Sequence, residues 1–221
     1  MNTKIKNTGT AILWMLVLVL SNLNAQESNR ESGMRIISDE VVINSSPAEA
    51  WETLTAFGNV SNFLSTIDEG SALNGSLDLA VLGAERESII PKGIHNIIQK
   101  ERIIELVEGA YYTYEVYESE NFSVKKMYVT YGVKLDSEGN TVLYGITEYK
   151  MNSGLATRMV KGKLGKGNMD SLIAYKYYIE TGEENSDIDS LRKRYDEDER
   201  MKSESVLVVN YSSPRSQQGP K

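Results

Sequence analysis

A change of hydrophobic period near residue 154 constrains this chain more than any other feature. From Ile67 to Asn152 the sequence is rich in Tyr, Val, Ile and Thr and is cut by turn-forming groups at Asn74-Gly75, Pro91-Lys92-Gly93 and Asp136-Ser137-Glu138-Gly139-Asn140. Between them lie strand-like segments at 85–90, 94–107, 110–118, 125–135 and 141–151, and strands joined so briefly make an antiparallel meander. After Gly154, Leu164, Asn168, Leu172, Tyr175 and Ile179 recur every three or four residues, which predicts one long helix from about Leu155 to Glu180. Gly162, Gly165 and Gly167 each weaken such a helix by roughly 1 kcal/mol relative to alanine. Its first half is therefore expected to fray, to kink or to pack closely against the sheet, with the intervening lysines outside.

Upstream of the meander, Ile36-Ile37 and Val41-Val42-Ile43 read as a strand that ends at Asn44-Ser45. Ser46-Pro47-Ala48-Glu49 then supplies an N-cap, a proline at the first helical position and a capping-box glutamate. The helix it starts has an apolar face of Ala50, Trp51, Leu54 and Phe57, with Gly58 placed to end it. A second short helix, Val60 to Thr66, would bury Phe63 and Leu64. The fold class is α+β: a curved antiparallel sheet of six to seven strands around a long C-terminal helix, with two short helices after the first strand.

Lys4 and Lys6 precede the apolar run Ala11–Leu20, and polar residues then lead to Ala25, the pattern of a secretory signal peptide cleaved after Ala25. Ten residues rise only ~15 Å as a helix, about half a bilayer, so no stable membrane span is expected once the signal is removed. A periplasmic or secreted protein follows from this. Residues 26–34 form a flexible leader and residues 35–182 the domain. Residues 183–221 form a charged, mobile tail with a short helix around 187–203, in which Val206 to Val209 could add an edge strand. The absence of cysteine excludes disulfides and thiolate chemistry, and a single histidine, His95, leaves no multi-histidine metal site; no metal or cofactor is expected. Without Lys4 and Lys6 the chain holds 22 basic and 31 acidic side chains, a balance that argues against a nucleic-acid partner.

The order of strand, two helices, meander and long helix, with Ser46-Pro47-Ala48-Glu49-Ala50-Trp51, Gly83-Ala84-Glu85-Arg86 and Glu101-Arg102-Ile103 at their places in it, resembles the START-like SRPBCC superfamily. The polyketide cyclase/dehydratase-type branch of this helix-grip fold is the part it is most similar to, over about residues 36 to 182. Within that superfamily the plant hormone receptors offer a pointed comparison. The resemblance places Pro91-Lys92-Gly93 at a gate loop beside a cavity mouth, Glu101 and Glu148 at cavity-facing carboxylates, and Asn168 on the grip helix. Ser65 falls where those receptors carry a lysine for a ligand carboxylate, and Asn121-Phe122-Ser123 lacks their latch sequence.

Side-chain alternation puts Glu101 on one strand face with Ile97, Gln99 and Ile103, and Glu148 on one face with Tyr144 and Ile146. Facing a cavity, such acids become hydrogen-bond donors or general acids; paired with arginine or lysine, they are structural. Tyr114, Tyr128 and Tyr144 are the tyrosines expected to line the cavity, although Met127, Val129, Tyr131 and Val133 make the other face of their strand equally apolar. Lys161 to Gly167 has the composition of a phosphate cradle without the strand and Lys-Ser/Thr that one requires, and contact with anionic lipid headgroups is its minor alternative. The leading expectation is an exported protein that binds a small hydrophobic or lipid-like molecule in a cavity of roughly 300–1,000 Å³ between sheet and helix. The alternatives are a cyclase/dehydratase-type enzyme that uses Glu101 and Glu148, and an interaction module with a filled interior. Neither the ligand nor the oligomeric state follows from the sequence.

Overall fold

A computed structural model describes residues 33–64, 66–92, 94–184 and 186–212, with side chains as far as Met201. The expected signal peptide and most of the leader lie outside the described residues, as do Ser65 and Gly93. The elements are β1 (Arg35–Ile43), α1 (Pro47–Leu54), a 3₁₀ helix (Phe57–Asn62), β2 (Glu69–Leu73), β3 (Glu85–Ile90), β4 (Ile97–Val107), β5 (Tyr111–Glu120), β6 (Val124–Leu135), β7 (Thr141–Met151), α2 (Gly154–Met159), α3 (Lys161–Thr181) and α4 (Ile188–Ser212). All seven strands form one antiparallel sheet in the order β1-β7-β6-β5-β4-β3-β2, so the first strand closes against the last.

Helix α1 starts as its sequence requires. Ser46 accepts from the Glu49 amide, the Glu49 carboxylate accepts from the Ser46 amide at 3.0 Å, and Pro47 occupies the first turn. The short helix after it is 3₁₀ and begins three residues earlier than expected, while Phe63 and Leu64 are buried just beyond its end. Asn74 and Gly75 both take positive φ, 53° and 73°, the backbone that an Asn-Gly turn needs. The chain then runs through residues 76–84 before it returns as β3 with Leu73 opposite Glu85.

The expected single C-terminal helix is two. A turn at Val160 separates α2 from α3, although the backbone bonds Val160→Ala156 and Leu164→Val160 carry the helical register across it. Close packing is not the reason for the glycines. A Cβ at Gly162 or Gly167 would meet nothing within 4 Å, and one at Gly165 would only touch Ile37 at 3.9 Å. They sit on the loosely covered half of the helix.

The segment past Gly182 departs furthest from expectation. It forms α4, which docks on α3: Leu191 is buried in the main core, Ile188 and Tyr195 pack against it, and the Tyr177 hydroxyl donates to Asp198 at 2.7 Å. Arg192 grips the Asp170 carboxylate with two hydrogen bonds of 2.6 Å. Residues 206–209 lie in this helix, not in an edge strand. Helix α3 is thus covered on the side facing away from the sheet, which is why Ser171 to Tyr177 are all buried. No helix among the described residues is long and apolar enough to cross a membrane. Because Leu191 is a core residue, Leu191→Ala should cost about 2–4 kcal/mol, which lowers Tm by roughly 4–16 °C in a thermal melt; a mobile tail would leave Tm unchanged.

Candidate functional site: a buried ion pair in a tyrosine shell

The inner face of the sheet looks onto α3. Along β4 it carries Ile97, Gln99, Glu101 and Ile103, and along β3 Arg86 and Ser88, all buried. Strand pairing sets Arg86 directly opposite Glu101. The Arg86 Nε donates to Glu101 Oε2, Ser88 Oγ lies 3.3 Å from the same oxygen, and Arg86 Nη1 donates to the Phe57 carbonyl at 2.9 Å. Arg86 is 1% exposed and Glu101 2%, so this is a fully interior ion pair. Burial works against the charge on Arg86, and Glu101 with the tyrosines around it outweighs burial, holding the guanidinium above its ordinary pKa.

Aromatic rings enclose the pair. The Arg86 guanidinium lies 4.1 Å from the centroid of Phe57 and 5.0 Å from that of Tyr114, distances at which cation and ring attract. Tyr112 and Tyr114 from β5, Tyr131 from β6 and Tyr175 from α3 continue the shell, with centroid separations of 5.4 Å for Tyr131–Tyr175 and 6.3 Å for Tyr112–Tyr131. The buried Tyr112 hydroxyl makes no well-formed hydrogen bond; the Tyr175 side chain is close enough for a weak one. Burial raises the hydroxyl pKa of all four: Tyr131 goes to about 12, and Tyr114, beside the Glu101 carboxylate, and Tyr175 go well above their usual value.

Glu101 and Tyr114 lie buried on the inner face of the sheet, and Asn168 faces it from α3. Asn168 Nδ2 donates to Asp39 Oδ2 at 2.7 Å and to the Gly145 carbonyl at 3.1 Å, while its Oδ1 accepts from Thr147 at 3.2 Å. A Cβ at Gly145 would stand 2.9 Å from that Oδ1, so glycine there is what lets the helix side chain reach the sheet. Glu148, Tyr144 and Tyr128 are corrections. On β7 the inward positions are Leu143, Gly145, Thr147 and Tyr149, and Tyr128 pairs with Glu148 on the outer face. Tyr144, also outside, lies 5.5 Å from Lys134, and burial pushes its hydroxyl up to about 12. Pro91 and Lys92 lie in the exposed β3–β4 connection, where Lys92 Nζ donates to the Asn121 carbonyl and the Asn121 amide to the Asn96 carbonyl.

Hollows of about 440 and 460 Å³ open on the outer surface, one along α4 at Arg192 and Asp196, the other between Glu49 and Glu180. Arg86, Tyr112, Tyr131 and Tyr175 surround the site and were not among the site residues expected from the sequence. A hairpin centred on Gly93-Ile94 already puts Arg86 opposite Glu101, which was the available signal.

Glu101→Gln leaves Arg86 buried without a countercharge and should cost about 3–5 kcal/mol in urea unfolding. Glu148→Gln, on the outer face, should stay within about 1 kcal/mol. The tyrosine shell has a second consequence. Its hydroxyls lose protons more readily unfolded than folded, so stability should hold to about pH 9 and fall above about pH 10. Absorbance at 295 nm should then show part of the tyrosine ionising only together with loss of circular dichroism.

The sequence matches no protein-family model and no curated protein. In fold the chain is similar to major latex-like protein 151 of Panax ginseng, at a TM-score of 0.53 and 18% identity over 67% of this chain and 97% of that one. It is similar also to the ZhuI aromatase/cyclase of Streptomyces sp. R1128, at 0.56 and 13% over 66% and 94%. A protein of Nitrosospira multiformis aligns at 0.52 and 12% over 67% and 98%. The seven-stranded sheet, the helices after β1 and the long helix laid on the inner face give this chain the helix-grip fold that these solved structures share.

Proposed function

We propose that the protein binds a small, mainly apolar molecule between sheet and α3, and that it does so after export and cleavage behind Ala25. The observation that carries the reading is the Tyr112 hydroxyl, buried inside an aromatic shell without a well-formed hydrogen bond. A buried donor so poorly met costs about 1–2 kcal/mol, so a ligand hydroxyl or carbonyl that meets it gains that amount over an apolar contact. The inner face combines apolar side chains with the buried polar groups of Arg86, Ser88, Gln99, Glu101 and Thr147, and Asn168 approaches it from α3. The enzyme reading loses its pair of acids: Glu101 is neutralised by Arg86, and Glu148 lies on the other face of the sheet.

Native mass spectrometry of protein purified from its host compartment tests both halves of the proposal. The expected spectrum shows a chain that begins at Gln26 and carries a bound small molecule. Tyr112→Phe should retain about 5- to 30-fold less of it, with Tm unchanged or raised. Protein that emerges empty and takes up nothing from a lipid mixture would remove the binding reading, and an intact Met1 start would remove export.

A further inference from the structure

The face of α2 and of the first turns of α3 that looks away from the sheet combines exposed apolar side chains with basic ones. Ala156, Val160 and Leu164 pack against Ile37, Tyr149 and Met151. Leu155, Met159, Lys163 and Lys166, spaced four, four and three apart across the continuous register at Val160, lie along another side. Leu155 is 69% and Met159 74% exposed, and both sit on short helical turns whose other side is already satisfied by the sheet. From Met151 to Met169 the chain carries Arg158, Lys161, Lys163 and Lys166 and no acid, in a protein whose net charge is −7. None of these four enters an ion pair among the described residues. A Cβ at Gly162, Gly167 or Gly154 would meet open space, so the helix backbone itself is approachable here.

The β3–β4 connection reaches the same end of the sheet. Lys92 and Asn96 bind Asn121, and Ser123 accepts from Asn152, the residue two before α2. That connection presents Ile94 at 95% exposure. Exposed apolar side chains ringed by unpaired cations match a bilayer surface that offers acyl chains and anionic headgroups together. A soluble acidic protein would satisfy the cations and leave Leu155, Met159 and Ile94 in water.

We propose that Leu155, Met159 and Ile94, with Arg158, Lys163 and Lys166, form a docking surface for an anionic phospholipid bilayer. The proposal does not depend on an interior ligand.

The chain has no cysteine, so a single polarity-sensitive nitrobenzoxadiazole label can be placed through Leu155→Cys, and a control label through Ser137→Cys in the β6–β7 turn at the far end. With vesicles of phosphatidylglycerol and phosphatidylcholine, the label at 155 should brighten and shift to the blue while the one at 137 does not. Pure phosphatidylcholine should give little change. Each basic side chain near an anionic surface contributes about fivefold to partitioning, so Lys163→Gln with Lys166→Gln should weaken binding about 25-fold. The proposal is overturned by an unchanged label at 155, by equal changes at 155 and 137, by an equal response to uncharged vesicles, or by soluble polyphosphate reproducing the emission change without lipid.

Discussion

The buried pair between Arg86 and Glu101 is the interaction around which the interior is arranged. Either charge alone would be several kcal/mol unfavourable in so apolar a place, and mutual attraction offsets that only when the remaining donors are also satisfied. The neighbours of Arg86 meet this demand. Phe57 supplies a carbonyl and a ring face, Ser88 approaches the carboxylate, and Tyr114 supplies a second ring. Because the carbonyl belongs to the 3₁₀ helix and the carboxylate to β4, one guanidinium fixes the helical connection after β1 against the middle of the sheet. The tyrosines follow from the same constraint, since aromatic faces stabilise a cation without adding further charge.

A second constraint acts on α3. From Asn168 onward it is held from both sides, by the sheet through Asn168 and the buried core and by α4 through the Arg192–Asp170 and Tyr177–Asp198 contacts. Lys176, itself buried, adds bonds to the Val42 carbonyl and to Glu180, whose carboxylate also caps the Asn44 amide. The turns before Asn168 have the sheet on one side and exposed residues on the other.

The order of elements was legible because strand and helix periods differ and because Ser46-Pro47-Ala48-Glu49 and Asn74-Gly75 have single conformational meanings. The location of the site was legible only in part, for a reason of parity. A strand pattern states which residues share a face and leaves open which face is inside. On β4 the inner set holds Ile97 and Ile103 and the outer set Lys100 and Arg102, so the apolar count points to the face on which Glu101 lies. On β7 the inner set includes Gly145 and Thr147, and the outer set includes Tyr144 and Ile146, so the apolar count pointed the wrong way. What decides β7 is Asn168 on a distant helix, whose contacts at Gly145 and Thr147 require small residues there. The docking of α4 was hidden similarly: Ile188, Leu191 and Tyr195 form a helical stripe, but nine acidic and five basic residues between Glu183 and Glu204 masked it.

These two constraints together locate where the interior can open. The main core, with the ion pair and the tyrosine shell, is bounded by the doubly supported part of α3. A smaller cluster of Ile37, Tyr149 and Met151, with Phe122, Val160 and Leu164 against it, is bounded by α2 and the glycine-containing start of α3, and Met127 touches both clusters. Local opening follows the elements with the fewest buried contacts. The smaller cluster beside the turn at Val160 is therefore the part of the interior expected to open first, and it lies at the end of the sheet where the chain passes into α2.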